Sequence, residues 1–229
     1  MLPLRLAALA FVTLGCSTAS TDRPQESAAP SASTPAQTVG FDDVPEGALP
    51  EGWRIGGTHQ VGPLASWQVA LDPSAPTPPH ALALTASTHG SEGTFNLCWT
   101  DRVTFADGTI EVAFRAVAGE VDQGGGPIWR VQGADDYYVC RANPLESNFR
   151  VYYVAGGSRH QLASAPVEIR SGTWHRIRVE HVGNHVACFL DGEKLLEAID
   201  DHLSAPGGVG LWTKADAVTS FDDLRVEPR

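Results

Sequence analysis

A two-residue rhythm recurs along the chain and constrains the fold more than any other feature. In residues 108–115, the apolar Ile110, Val112 and Phe114 alternate with Thr109, Glu111, Ala113 and Arg115. Residues 174–181 repeat the pattern, with Ile177 and Val179 between charged neighbours. Period two puts one set of side chains on each face of a strand, so these runs predict half-buried strands. Runs 185–190 and 194–197 bracket Asp191-Gly192, the strongest short-range hairpin signal. Further strands are expected at 67–71, 81–85, 93–100, 127–131, 137–142, 149–154, 209–212 and 219–226. No long helical stripe interrupts them, and 23 Gly and 16 Pro supply the turns. The pattern predicts an all-β sandwich or barrel without a fixed-period repeat.

The N-terminus has a different character. A single Arg5 precedes the apolar run 6–14, which is too short for a bilayer span of about 20 residues and reads as a signal peptide over 1–15. Gly15-Cys16 resembles a bacterial lipobox with Thr13 where Leu is usual, which implies lipidation of Cys16; an ordinary secretory signal with a chance cysteine is the alternative. Residues 17–38 hold no Val, Ile, Leu or aromatic, so from Cys16 to Thr38 a disordered Ser/Thr/Ala/Pro tether is expected, with one domain over 39–229. These features predict a lipid-anchored protein of the bacterial cell envelope, facing the periplasm or the exterior, with the membrane as a partner through its lipid. The 27 acidic against 16 Lys and Arg residues, net charge -11, disfavour nucleic acid as a partner.

Four stretches carry a family resemblance: GTIEVAFRAVAGEVDQGGGPIWR, DDYYVCRANPLESNFRVYYV, SGTWHRIRVEHVGNHVACFLDGEKLLE and GGVGLWTKADAVTSFDDLRV. Together they resemble concanavalin A-like domains of the 3-keto-disaccharide hydrolase (3-keto-glucoside lyase/hydratase) type, over Phe41 to Val226. The resemblance implies a jelly roll of two antiparallel sheets, related in shape to legume lectins and laminin G modules. It also implies a carbohydrate-binding or carbohydrate-processing protein, with a 3-keto-glycoside as substrate if it is an enzyme. A non-catalytic envelope or adhesion module binding a protein or cell-surface polymer is the alternative, because such sandwiches host many functions.

Candidate site residues concentrate between Asp122 and Arg150. A strand through 137–143 puts Tyr137, Val139, Arg141 and Asn143 on one face and Tyr138, Cys140 and Ala142 on the core face. Glu146 and Asn148 follow in the turn, Arg130 could reach in from a neighbouring strand, and Trp129 or Trp212 could stack on a sugar. Asp122 and Gln123 precede Gly124-Gly-Gly126 and suit a sugar-contacting loop, while Lys214 and Asp216 suit the rim. For catalysis, Glu146 and Asp122 are the candidate acid and base, with Arg130 or Arg141 to stabilise an enolate oxygen. An equally weighted reading makes Arg130, Arg141 and Glu146 a structural ion-pair network with Asn143 and Asn148 capping turns. Trp129, Trp174 and Trp212 likewise suit the core.

The eight histidines have no metal-ligand spacing, so no metal site and no cofactor is identified, although scattered acids leave a structural calcium open. Cys98, Cys140 and Cys188 remain after Cys16, an odd number that favours buried thiols in strands, with one disulfide as the alternative. Protein partners are not legible.

Overall fold

The computed structural model describes residues 35–87 and 93–229; Cys16, the signal segment, most of the tether and His89 lie outside them. The described residues form fifteen strands and no helix. One antiparallel sheet runs in the order β13 (Glu193–Ile199), β12 (His185–Leu190), β11 (Trp174–Val182), β6 (Gly108–Ala118), β15 (Val218–Pro228), β4 (His80–Ala86) and β3 (Ser66–Leu71). An eighth strand, β1 (Gln37–Val39), pairs with the second half of β15. Gln37 and Thr38 therefore join the sheet, although their composition groups them with the tether. The other sheet runs β10 (Ser158–Pro166), β9 (Asn148–Ala155), β8 (Asp136–Asn143), β7 (Gly126–Gly133), β14 (Gly207–Lys214), β5 (Phe95–Phe105) and β2 (Trp53–Thr58).

The alternation read from the sequence builds the layer between these sheets. Ile110, Val112 and Phe114 of β6 are fully buried, as are Ile177 and Val179 of β11, and they meet Tyr138, Cys140 and Val151 from the other sheet. The β12–β13 hairpin turns at Asp191 and Gly192, both with positive φ, the conformation that makes Asp-Gly a hairpin signal. Cys98, Cys140 and Cys188 are buried free thiols in this layer. The architecture is an all-β jelly-roll sandwich of two antiparallel sheets.

The seven-stranded sheet is also buried on its outer face. Phe95, Leu97, Trp99, Ile128, Tyr137, Val139, Tyr152 and Trp212 form a second apolar cluster there. An antiparallel sandwich sheet normally leaves that face to water and fills it with polar residues. Here aromatics form a floor, and polar groups stand at one end of it.

Candidate functional site

The register across β8, β9 and β10 sets this face. Val139 pairs with Tyr152, Arg141 with Arg150 and Asn143 with Asn148. Because side chains alternate, Tyr137, Arg141 and Asn143 share the outer face while Tyr138, Cys140 and Ala142 point into the sandwich. The loop before β7 brings the first carboxylate. Asp216 accepts hydrogen bonds from the backbone N–H groups of Glu120, Val121 and Asp122 at 2.7–3.1 Å, which fixes that loop beside β14. Gly125 then enters the sheet so tightly that a Cβ would stand 2.2 Å from the Trp212 carbonyl oxygen. The glycines thus permit close backbone approach.

Asp122 is 1% exposed. Asn143 Nδ2 donates to its Oδ1 at 3.0 Å, and Lys214 Nζ lies 3.1 Å from its Oδ2 as an ion pair. Burial raises the Asp122 pKa and outweighs the lowering by Arg141 and Lys214. Glu146 differs. Arg141 Nη2 and Asn148 Nδ2 each donate to its Oε2 at 2.9 Å, and Arg150 Nη1 does so at 3.2 Å. Desolvation would raise the Glu146 pKa, but these donors and charges hold it down at about 2. The backbone N–H of Glu146 donates to Asn143 Oδ1, so Asn143 closes the turn and also holds Asp122. The ion-pair network and the polar cluster are one set of atoms.

Asp122, Arg141, Asn143, Glu146, Asn148 and Lys214 are therefore brought together. Asp216 acts from behind by holding the loop, and Gln123 donates to the Gly119 carbonyl within it. Trp212 lies under the cluster, fully buried, with Nε1 donating to Tyr137 Oη at 3.2 Å. It is floor and has no exposed ring face. Trp129 and Arg130 depart from expectation. The Trp129 ring lies between the sheets, stacked on Tyr138 at 5.5 Å, and donates to His181 Nδ1 at 2.9 Å. Arg130 has positive φ at a register break in β7, and its guanidinium donates to the carbonyls of Ala106, Leu203 and Gly183. That break turns Arg130 toward the loops, so it joins no site with Arg141. Arg159 and Tyr152 join this face without having been candidates, and Tyr137 enters as floor. Arg159 extends over the rings of Phe95 and Tyr152, at 4.8 and 4.5 Å from their centroids. It sits in a strand without alternation, so only its charge could have flagged it. Among the described residues, no three His, Cys, Asp or Glu side chains group as metal ligands.

Residues 41–227 match the family described as the 3-keto-alpha-glucoside-1,2-lyase-like domain. The chain belongs to that family. Carbohydrate-active proteins recur among similar folds. Carbohydrate-binding module CBM66 from Bacillus subtilis is 18% identical at a TM-score of 0.58, covering 77% of this chain and 96% of its own. A Bacillus licheniformis β-glucanase is 12% identical at a TM-score of 0.54, covering 80% and 95%. Domain 4 of the arabinanase AbnA from Geobacillus stearothermophilus, solved with arabinotriose, is 10% identical at 0.51, covering 77% and 82%. At these identities the likeness is one of fold. Comparison with curated proteins gives no match.

Proposed function

We propose that the outer face of the seven-stranded sheet binds a saccharide and that Asp122 acts there as a base in 1,2-elimination from a 3-keto-glycoside. The observation that carries this reading is a buried carboxylate with a raised pKa, beside a buried guanidinium, on an aromatic floor. A C3 ketone acidifies the proton on C2. Asp122 takes that proton, the electron pair of the C2–H bond forms an enolate, and the enolate collapses to a C1–C2 double bond as the C1–O bond breaks. The C3 carbonyl re-forms, and the proton now on Asp122 passes to the leaving oxygen, which departs as the free alcohol. Arg141 supplies the positive charge that stabilises the enolate oxygen. Glu146 is a poor base at a pKa of about 2; it orients Arg141.

The test incubates the protein with 3-keto-disaccharides and follows the enone by ultraviolet absorbance. Asp122→Asn is expected to lower turnover by at least about a hundredfold, the scale of a lost general base. Turnover that survives Asp122→Asn refutes the assignment. Saccharide binding without turnover in the native protein reduces the proposal to a binding module. Delivery belongs to the same proposal: the run 6–14 followed by Gly15-Cys16 supports lipid anchoring in the envelope. Palmitate labelling lost in Cys16→Ala supports it, and unchanged labelling refutes it.

A further inference from the structure

Arg141 is 1% exposed, yet only its Nη2 has a carboxylate acceptor; Nε and Nη1 are buried with no hydrogen-bond partner. Arg159 likewise holds a buried Nη1 without a partner. The two guanidiniums border one ring, with Cζ atoms 6.0 Å (Arg141) and 4.5 Å (Arg159) from the Tyr152 centroid. Buried donors left open are costly, and guanidinium donors on an otherwise closed face mark the place of an absent acceptor.

The ion pairs on this face leave Arg159 out. Arg141, Arg150, Arg159 and Lys214 stand against Asp122 and Glu146. Glu146 is shared by Arg141 and Arg150, and Asp122 is paired with Lys214, so no described carboxylate forms an ion pair with Arg159. Burial pushes the Arg159 pKa down, and the charge of Arg141 adds to that. Asp216 is engaged by the backbone N–H groups of Glu120, Val121 and Asp122, so it does not reach Arg159 either. A chain with net charge -11 keeps two guanidiniums with open donors on the face that also carries an aromatic floor.

We propose that this face takes an acidic saccharide, one whose sugar ring carries a carboxylate as in a hexuronic acid, with Arg141 and Arg159 as its receptors. The inference rests on the saccharide reading above and narrows its substrate class. A neutral sugar would leave Arg159 without a carboxylate partner. A planar carboxylate offers two oxygens in the geometry a guanidinium fork recognises, and charge-assisted bonds are the stronger kind. The sugar hydroxyls retain a buried acceptor, Asn148 Oδ1, which has no partner of its own.

An array of neutral oligosaccharides, their uronate-ended counterparts and sulfated sugars tests this with the full chain, followed by calorimetry on the hits. Uronate-ended sugars are expected to bind at least about tenfold tighter than their neutral counterparts, with the gap narrowing as salt rises. Arg159→Gln, at a partly exposed position, is expected to remove most of that gap with an unchanged thermal melt; Arg141→Lys, which keeps charge but loses the fork, should narrow it too. Neutral sugars bound as tightly as acidic ones overturn the acidic class and leave the saccharide reading standing. Sulfated sugars preferred over uronates overturn the carboxylate, and a gap that survives both substitutions overturns the receptors. Binding to no sugar of any class removes both readings.

Discussion

Replacing Lys214 by Met isolates the environment of Asp122. The pair is 3.1 Å apart, with Asp122 1% and Lys214 13% exposed at the side chain. At an effective dielectric of about 20, two unit charges at that distance attract by ~5 kcal/mol, and removing one partner of a buried pair costs ~3–5 kcal/mol. Protonation of the stranded carboxyl limits the loss, because a group that cannot keep its charge buried neutralises instead. The folded pKa of Asp122 already lies above its unfolded value, so between those two values the folded state holds a proton that the unfolded state has released. Lys214→Met widens that gap. Its destabilisation therefore grows as pH rises above the native folded pKa of Asp122 and fades below it, where the carboxyl is already protonated in both folded proteins. Urea unfolding should show a loss of ~3 kcal/mol at pH 8 that shrinks as the pH is lowered toward ~4. An equal loss at both pH values, or none at pH 8, refutes the ion-pair account.

Other perturbations address the scaffold. His181 is fully buried and its pKa is lowered to about 4 by desolvation and then by Arg130. The unfolded state binds a proton that the folded state refuses between pH ~6.5 and about 4, so stability falls by up to ~3 kcal/mol as pH drops through that window. Urea midpoints that stay flat across it contradict this. Cys98 and Cys140 have pKa values pushed up by burial, and Cys188 is fully buried beside Cys140, so all three thiols should resist Ellman's reagent until denaturant is added. Gly125→Ala forces a Cβ against the Trp212 carbonyl oxygen and should cost ~1–3 kcal/mol in thermal or urea unfolding, whereas an unchanged midpoint shows that β7 and β14 can separate there.

The sandwich was legible because central strands of a half-buried sheet must alternate. β6, β11 and the Asp191-Gly192 hairpin each carry that rhythm in full. The edge strands β10 and β2 carry no such rhythm. β10 is largely polar and β2 carries Gly56-Gly57; both end the seven-stranded sheet, where one side of the strand needs no apolar partner. Alternation through β8 put Arg141 and Asn143 on a common face, and proximity in sequence attached Glu146 and Asn148. Two things lay beyond that reasoning. The register break at Arg130 inverted its direction, and a local backbone kink leaves no trace in residue periodicity. The aromatic floor required knowing that Phe95, Tyr137, Tyr152 and Trp212 come from four strands of one face. Both conditions arise from strand order, which a single sequence does not disclose.

The six tryptophans offer built-in reporters of where a sugar sits. Trp99 and Trp212 belong to the outer face of the seven-stranded sheet, Trp67 and Trp129 lie between the sheets, Trp53 packs on Phe41, and Trp174 sits beside Arg115 of the eight-stranded sheet. Titrating the indole-15N-labelled protein with a bound saccharide should shift the indole N–H signals of Trp99 and Trp212 and leave that of Trp174 in place. A shift at Trp174 with Trp99 and Trp212 unmoved contradicts the account.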